Sequence, residues 1–412
     1  MSKFIAVIGT LDTKGDQIEY LKQRIEARGH KAIVIDVGVM GPVPFEPTFR
    51  RERVAGAIGL GLEEIKALGQ RVGFTEKMAE GAREIVKELY ARDELDGVVA
   101  VGGTHATSVA VPVMKEVPFF VPKLLVTTIA FGPTLTPDLV GGTDMMMLPW
   151  VGGLWGLNSL SRRCLETAAG AICGAAEEYD TKKAVEKRKI VGASGMGFTK
   201  FYDYLKPALA ERGYELAVFH STGMSTRIME RAIADGIICA SLDLYAAQEL
   251  TNELYGGASD AGKHRLEVAG KMGIPQIVSG MPGVWQWPTG KPLPPQYADR
   301  VPRVGHIIHE DIDPTPEECV AVGKLMAQKL NMATGPTALV LPEVWVKAPP
   351  GAPPERVKLV ESFRLNMKAF RESVKKYVNP KKVKVVELEG ASSLDPQFVD
   401  AVLTLFDEMI PR

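Results

Sequence analysis

The chain has 412 residues, of which 46% are hydrophobic and 24% charged, and its formal net charge is −1. That length predicts two or three domains, the composition is that of a globular protein able to bury large cores, and the charge balance gives no general affinity for nucleic acid. Cys164, Cys173, Cys239 and Cys319 are scattered without a CxxC pair, which points to reduced thiols in a cytoplasmic protein rather than to a disulfide framework or a zinc site.

Phe4-Ile5-Ala6-Val7-Ile8 reads as a buried strand, because a parallel strand covered on both faces is continuously apolar. It runs straight from the first residue and is no signal peptide. Gly9-Thr10-Leu11-Asp12-Thr13-Lys14-Gly15 follows, then a helical pattern through Ile18, Leu21 and Ile25 that Gly29 stops, then a strand from Ala32 to Val37. This is a βαβ unit. Its first loop holds hydroxyls, Asp12 and Lys14 at the strand end, where open α/β sheets bind ligands. The spacing is neither G-x-G-x-x-G nor that of a P-loop, which disfavours a nicotinamide dehydrogenase and a P-loop ATPase. Asp12 is open to a second reading as a helix cap, and Lys14 to one as a solvated first-turn residue.

Residues 40–75 are rich in Pro and Gly and show no period. Glu76 to Ala91 is a helix. The most informative run comes next: the strand Gly97-Val98-Val99-Ala100-Val101, the pair Gly102-Gly103, then Thr104-His105-Ala106-Thr107-Ser108 opening a helix. Glycines at that joint let a ligand approach the backbone, and the first amides of a helix, which have no intrahelical partner, attract an anion. A βα turn that uses glycine only for its shape is the alternative. The strand Pro122 to Thr128 ends in Thr127 and Thr128, and Gly141-Gly142-Thr143-Asp144 gives a third glycine–hydroxyl turn. Three such turns in one half predict a polyanion or nucleotide pocket. Val140 to Gly156 is apolar but broken by Asp144, Pro149 and glycines, so no run suits a membrane span. Residues 150–175, with Trp150 and Trp155, are rich in small side chains and would suit close helix packing or a subunit contact in a homo-oligomer.

Glu177 to Lys189 is dense in charge and reads as a linker or helix end. The strand–turn–helix pattern then restarts: Lys189 to Ser194, the turn from Gly195 to Thr199, a helix from Leu205, and the strand Leu216-Ala217-Val218-Phe219 ending in His220. Ile237 to Asp243 is the next strand, and Ala246 to Leu254 is a helix carrying Glu249. Gln276-Ile277-Val278 is another strand. Met281 to Arg303, with Trp285 and Trp287, has no regular pattern and reads as a long ordered loop. His306 to Asp313 superficially suggests a metal cluster, yet adjacent polar residues of this kind are commoner in solvated loops. Thr315-Pro316-Glu317-Glu318 is a capping box before a helix towards Leu330. A strand Thr337 to Leu341, a helix Val360 to Tyr377, a strand Val383 to Leu388 and a helix Phe398 to Met409 close the chain. The expected architecture is two tandem open α/β domains on parallel sheets, residues 1–180 and 189–412.

Ile8-Gly9-Thr10-Leu11-Asp12-Thr13-Lys14, Gly102-Gly103-Thr104, Pro122-Lys123 with Thr127-Thr128, Gly142-Thr143-Asp144, Val218-Phe219-His220-Ser221-Thr222-Gly223, Leu242-Asp243, Glu249 and Gly256-Gly257 occur in this order. In these runs the chain resembles the family of the ATP-binding amino-terminal region of the tomato mosaic virus resistance protein, over almost its whole length. The resemblance implies that these are two tandem Rossmann-like open parallel-sheet domains with a cleft between them, and that ATP is a ligand of the first. Gly283 to Pro288 and Trp345 to Pro350 depart from that family by replacing polar loops with bulk, which implies a different substrate in the second half.

Three functions are therefore weighed. The first is ATP binding in the amino-terminal domain by Gly9, Thr10, Asp12, Thr13, Lys14, Gly102, Gly103, Thr104, Thr127, Thr128, Gly142, Thr143 and Asp144, with Asp144 contacting ribose or hydrated Mg²⁺. The second is a hydrolase, lyase or ATP-dependent ligase acting on a small carbonyl or carboxylate metabolite, with His220 as general base and Asp243 and Glu249 orienting it, holding a metal or serving as acid. His220 as a loop histidine, Asp243 as a helix cap and Glu249 on a solvated face are the bland readings. The third is an interaction scaffold built on the Pro/Trp loops.

Overall fold

The computed structural model describes residues 1–69, 73–152, 155–179, 189–197, 199–304 and 307–410. The chain divides into two compact units, Met1–Glu186 and Lys187–Arg412, each an α/β domain on a parallel sheet. No helix among the described residues is long and apolar enough to cross a membrane.

The first unit opens with β1 (Phe4–Gly9), α1 (Leu11–Glu26) and β2 (Lys31–Asp36). The unpatterned stretch after it contains two short helices, α2 (Arg51–Gly56) and α3 (Leu62–Ala67), before α4 (Gly73–Ala91). Then come β3 (Gly97–Gly102), α5 (Thr104–Glu116), β4 (Lys123–Thr127), a single turn α6 (Pro137–Val140), β5 (Met146–Pro149) and α7 (Ser159–Glu178). The sheet order is β2-β1-β3-β4-β5, all parallel. Buried aliphatics alternate to the two faces: Ala6, Ile8, Val98 and Ala100 pack towards α4 and α5, and Ile5, Val7, Val99 and Val101 towards α1 and α7. A strand covered on both sides needs that continuous apolar run.

The second unit starts with β6 (Lys189–Gly195), α8 (Phe201–Glu211), β7 (Tyr214–His220), α9 (Met224–Ala234), β8 (Ile238–Asp243), α10 (Ala246–Tyr255), α11 (Val268–Met272) and β9 (Gln276–Val278). The stretch expected to be a loop instead starts a small antiparallel sheet of β10 (Trp285–Pro288), β11 (Arg303–Val304) and β12 (His309–Ile312), in the order β10-β12-β11. Its anchor is Trp285, fully buried and packed against Tyr255 and Tyr297. His306 and most of the charged stretch 177–189 lie outside the described residues. No group of three or more His, Cys, Asp or Glu among the described residues could hold a metal ion. The chain closes with α12 (Pro316–Leu330), β13 (Thr337–Val344), α13 (Pro354–Tyr377), β14 (Val383–Ser392) and α14 (Pro396–Met409). The capping box forms as read: Thr315 Oγ1 accepts from the Glu318 amide and Glu318 Oε2 accepts from that of Thr315. The parallel sheet runs β14-β13-β9-β8-β6-β7.

Both sheets share one winding. Within each unit the first strand lies between the second and the third, so chain direction across the sheet reverses between strands one and three. In open α/β sheets that reversal leaves a crevice at the carboxyl ends, where ligands bind. In the first unit the point falls between β1 and β3; in the second, between β6 and β8.

Candidate functional site

In the first unit the crevice is an open cavity of about 410 Å³, within the size range of small-molecule sites. The β1–α1 turn contributes Thr10, Asp12, Thr13 and Lys14 to its lining, the start of α5 contributes Gly103 to Ala106, and Gly38, Val39, Met40 and Phe74 complete it.

The glycines around the cavity differ in what they are for. A Cβ on Gly9 would lie 2.4 Å from Ile18 Cδ1 and one on Gly102 2.4 Å from Ala106 Cβ, so these two are required by packing. A Cβ on Gly38 would strike the Asp12 carboxyl at 2.7 Å. Gly103 is unlike them. Its φ of −90° and ψ of −158° suit any residue, and a Cβ there would meet only Thr128 Oγ1, at 3.8 Å. It caps the 13-residue helix α5 without a side-chain hydrogen bond, leaving first-turn amides open to an anion.

Charges around the cavity are arranged to hold its walls. Asp36, at the end of β2, is 1% exposed. Its Oδ1 accepts from the amides of Leu11 (3.1 Å) and Gly38 (2.9 Å), and its Oδ2 from Arg51 Nε (3.1 Å). Burial pushes the Asp36 carboxyl above its ordinary pKa against those same partners. Asp12 Oδ2 accepts from the Met40 amide at 2.7 Å and lies 3.9 Å from Arg51 Nη1. Burial lowers the pKa of Lys14, with Asp12 opposing, and its ammonium donates to the Thr13 carbonyl. Thr10 and Thr13 bond to each other through their hydroxyls at 2.7 Å. Burial also lowers the pKa of His105, against the pull of the Val37 carbonyl and of Asp12; the ring is neutral at pH 7, bonded through Nδ1 to Thr75 Oγ1 and packed on Phe74.

Of the residues read as ligand contacts, Thr10, Asp12, Thr13, Lys14, Gly103 and Thr104 line this cavity. Gly9 and Gly102 lie beneath it as packing positions. Thr128 is exposed and is not a lining residue, and Thr127 is fully buried and spends its hydroxyl on Thr107 Oγ1 at 2.6 Å. Gly142, Thr143 and Asp144 do not belong. Their turn leads into β5 rather than out of a strand, so it lies at the amino edge of the parallel sheet, and there Asp144 accepts from Lys123 Nζ at 2.6 Å and from the Phe120 amide at 2.8 Å.

The expected trio of the second unit is also separated. His220 ends β7, at the sheet edge, exposed, with Nε2 accepting from the Gly197 amide at 3.4 Å. Asp243 ends β8, and β6 runs between the two, so the strands are about 10 Å apart at the usual spacing. Asp243 and Glu249 turn inward to Arg265. Its guanidinium bonds both Asp243 oxygens, Glu249 Oε2 (2.6 Å) and Glu230 Oε1 (3.1 Å). Burial alone would lower the pKa of Arg265; Asp243 and Glu249 hold it well above the ordinary value instead. Glu249 also accepts from the Gly223 amide and Thr226 Oγ1, at the start of α9. It therefore braces the turn that leads into that helix. Asp243 takes a further bond from Ser194 Oγ. Arg265 left no mark in the sequence, since Lys263-His264-Arg265 reads as a solvated basic run. Asp36 and His105 were open to recognition, one as the acid ending the second strand of a βαβ unit and the other as the neighbour of Gly-Gly-Thr.

Comparison with known proteins agrees with this two-unit build. The model of the Uncharacterised protein family (UPF0261) N-terminal domain matches residues 3–181, and that of the UPF0261 C-terminal domain matches residues 188–410. A UPF0261 protein of Clostridium tetani is 34% identical over the full length of both chains. One of Brucella melitensis is 36% identical over 82% of this chain and 81% of its own. The ToMV resistance protein Tm-1(GCR237) of Solanum lycopersicum is 26% identical over 83% of this chain and 48% of its own length, which bears out the resemblance read from the motifs. With both halves matched in order, the chain belongs to the UPF0261 family of two-domain α/β proteins.

Proposed function

We propose that the first unit binds a nucleotide, with its phosphates against Gly103, Thr104 and the open amides of α5, and that ATP, the ligand implied by the motif resemblance, is the one to test first. The observation that supports this reading is Gly103. Neither its backbone angles nor an internal neighbour calls for glycine, yet it lines the cavity at the start of α5. Lys14 adds a cation to the same lining.

The test is calorimetry and thermal melting with ATP, ADP and AMP, each with and without Mg²⁺. A ligand that binds only the folded state stabilises it by RT ln(1 + [L]/Kd), about 2.7 kcal/mol at a hundredfold excess over Kd. A raised melting temperature and a measurable Kd are expected. No heat and no shift with any of the three at millimolar concentration overturns the reading.

A further inference from the structure

We propose that His105 couples nucleotide binding to a proton: the ring is neutral in the folded chain and takes up one proton when phosphate settles on the first turn of α5, so that the site tightens as pH falls. The inference rests on the nucleotide reading above and adds how that site is regulated.

His105 is the second residue of α5, beside Thr104, and it lines the cavity. Three contacts hold its ring neutral. It packs on Phe74 of α4, with 5.0 Å between ring centroids, and removal from water disfavours the charged form. It stands in the first turn of a helix, whose positive pole opposes a cation. Its Nδ1 is bonded at 3.0 Å to the neutral hydroxyl of Thr75 rather than to a carboxylate.

The same surroundings can accept a second proton. A hydroxyl both donates and accepts, so Thr75 Oγ1 serves Nδ1 in either state. Nε2 is buried and makes no hydrogen bond among the described residues, and such an orphan is open to a ligand oxygen. From the β1–α1 turn Asp12 pulls towards the imidazolium, as does the Val37 carbonyl after β2, and Lys14 lines the same cavity. Asp12 is itself engaged by the Met40 amide and by Arg51. From α4 the ring meets only neutral partners in Thr75 and Phe74.

A phosphate on the α5 amides changes this balance. It cancels the positive pole and brings negative charge beside the ring, which favours the protonated form. The coupling is reciprocal: a phosphate that raises the affinity of His105 for a proton has its own affinity raised by that proton by the same factor. The ring alone titrates below its ordinary 6.5 and with ligand it titrates higher. The added affinity is therefore complete at low pH and lost as pH rises through the higher value.

The test is calorimetry of ATP binding to the full chain at about pH 6, 7 and 8, in buffers of different ionisation enthalpy, on the wild type and on His105→Asn. Asparagine keeps a polar group where Nδ1 meets Thr75 and does not titrate. Comparing the two removes the protons exchanged by ATP itself and by Lys14. Near neutral pH the wild type is expected to take up about half a proton more per ATP than the variant, and its advantage in Kd to grow about fivefold from pH 8 to pH 6. Histidine-selective NMR on the wild type reads the same event without a substitution: of the six histidines, one is expected to titrate below about 6.5 without ATP and at about 7 or above with it. Equal proton uptake in wild type and variant, a ratio of Kd values constant with pH, or histidine titrations that ATP leaves unmoved overturns the coupling and leaves the nucleotide site standing. No binding of ATP by the wild type at any of these pH values overturns the nucleotide reading itself.

Discussion

Glycines that look alike in the sequence separate by what a Cβ would touch. Gly102→Ala forces a methyl to within 2.4 Å of Ala106 Cβ and is expected to cost about 1–3 kcal/mol by overpacking. Gly103→Val should cost about 1 kcal/mol or less, through a poorer helix cap, while weakening ATP at least about tenfold, because its branches add bulk to the lining at the start of α5. Denaturant unfolding and calorimetry on the two variants check this together; full affinity in Gly103→Val would leave that glycine serving only the turn. From sequence, the Gly102-Gly103-Thr104 run pointed to the joint that lines the cavity but not to which glycine lines it, since that depends on how α5 packs back on β3. For the same reason Asp144 was legible as part of a glycine–hydroxyl turn and illegible as to sheet edge. Only the pairing Leu124↔Met146 fixes on which side of β5 it falls.

At the scale of elements, the Arg265 cluster ties α9, β8 and α10 together through Glu230, Asp243 and Glu249. One cation faces three buried carboxyls, so protons are retained more easily than in water: burial raises the pKa of Glu230 and of Glu249 above the ordinary 4.5, with Arg265 opposing in both. The sign for stability follows. Above pH 4.5 the unfolded chain has released these protons while the folded chain still holds them, so their contribution falls as pH rises through the folded pKa values. Glu230→Gln mimics the protonated form and is expected to gain on the wild type in urea unfolding as pH goes from about 4.5 to 8; a variant that falls further behind over that interval would show a carboxylate ionised and stabilised in the fold. Strands and amphipathic helices of both units were legible because apolar runs and 3.6-residue periods survive without tertiary knowledge. The small sheet β10-β12-β11 was not. Its strands are short, interrupted by Pro, and held by the burial of Trp285 among Tyr255 and Tyr297 rather than by an alternating pattern.

In the molecule as a whole one winding is used twice, with a cavity at the crevice of the first unit and the buried Arg265 cluster at the end of β8 in the second. All cavity residues come from the first unit, which has its own apolar layers on both faces of its sheet. A fragment spanning residues 1–186 is therefore expected to melt cooperatively and to bind ATP within about threefold of the full chain, since no contact residue is removed; a fragment that fails to melt cooperatively refutes this independence. The winding also has a consequence during synthesis. β1 meets β2 early, but its other neighbour is β3, with Ile5 beside Gly97. At translation rates of about 5–20 residues per second, those roughly 90 residues take on the order of 5–20 s to make. Until then one flank of an apolar central strand is an unpaired edge that other nascent chains can join. A ribosomal pause between Asp36 and Gly97 lengthens that exposure, so codon choice over this stretch, which alters no residue of the folded protein, is expected to govern how much of the product escapes aggregation.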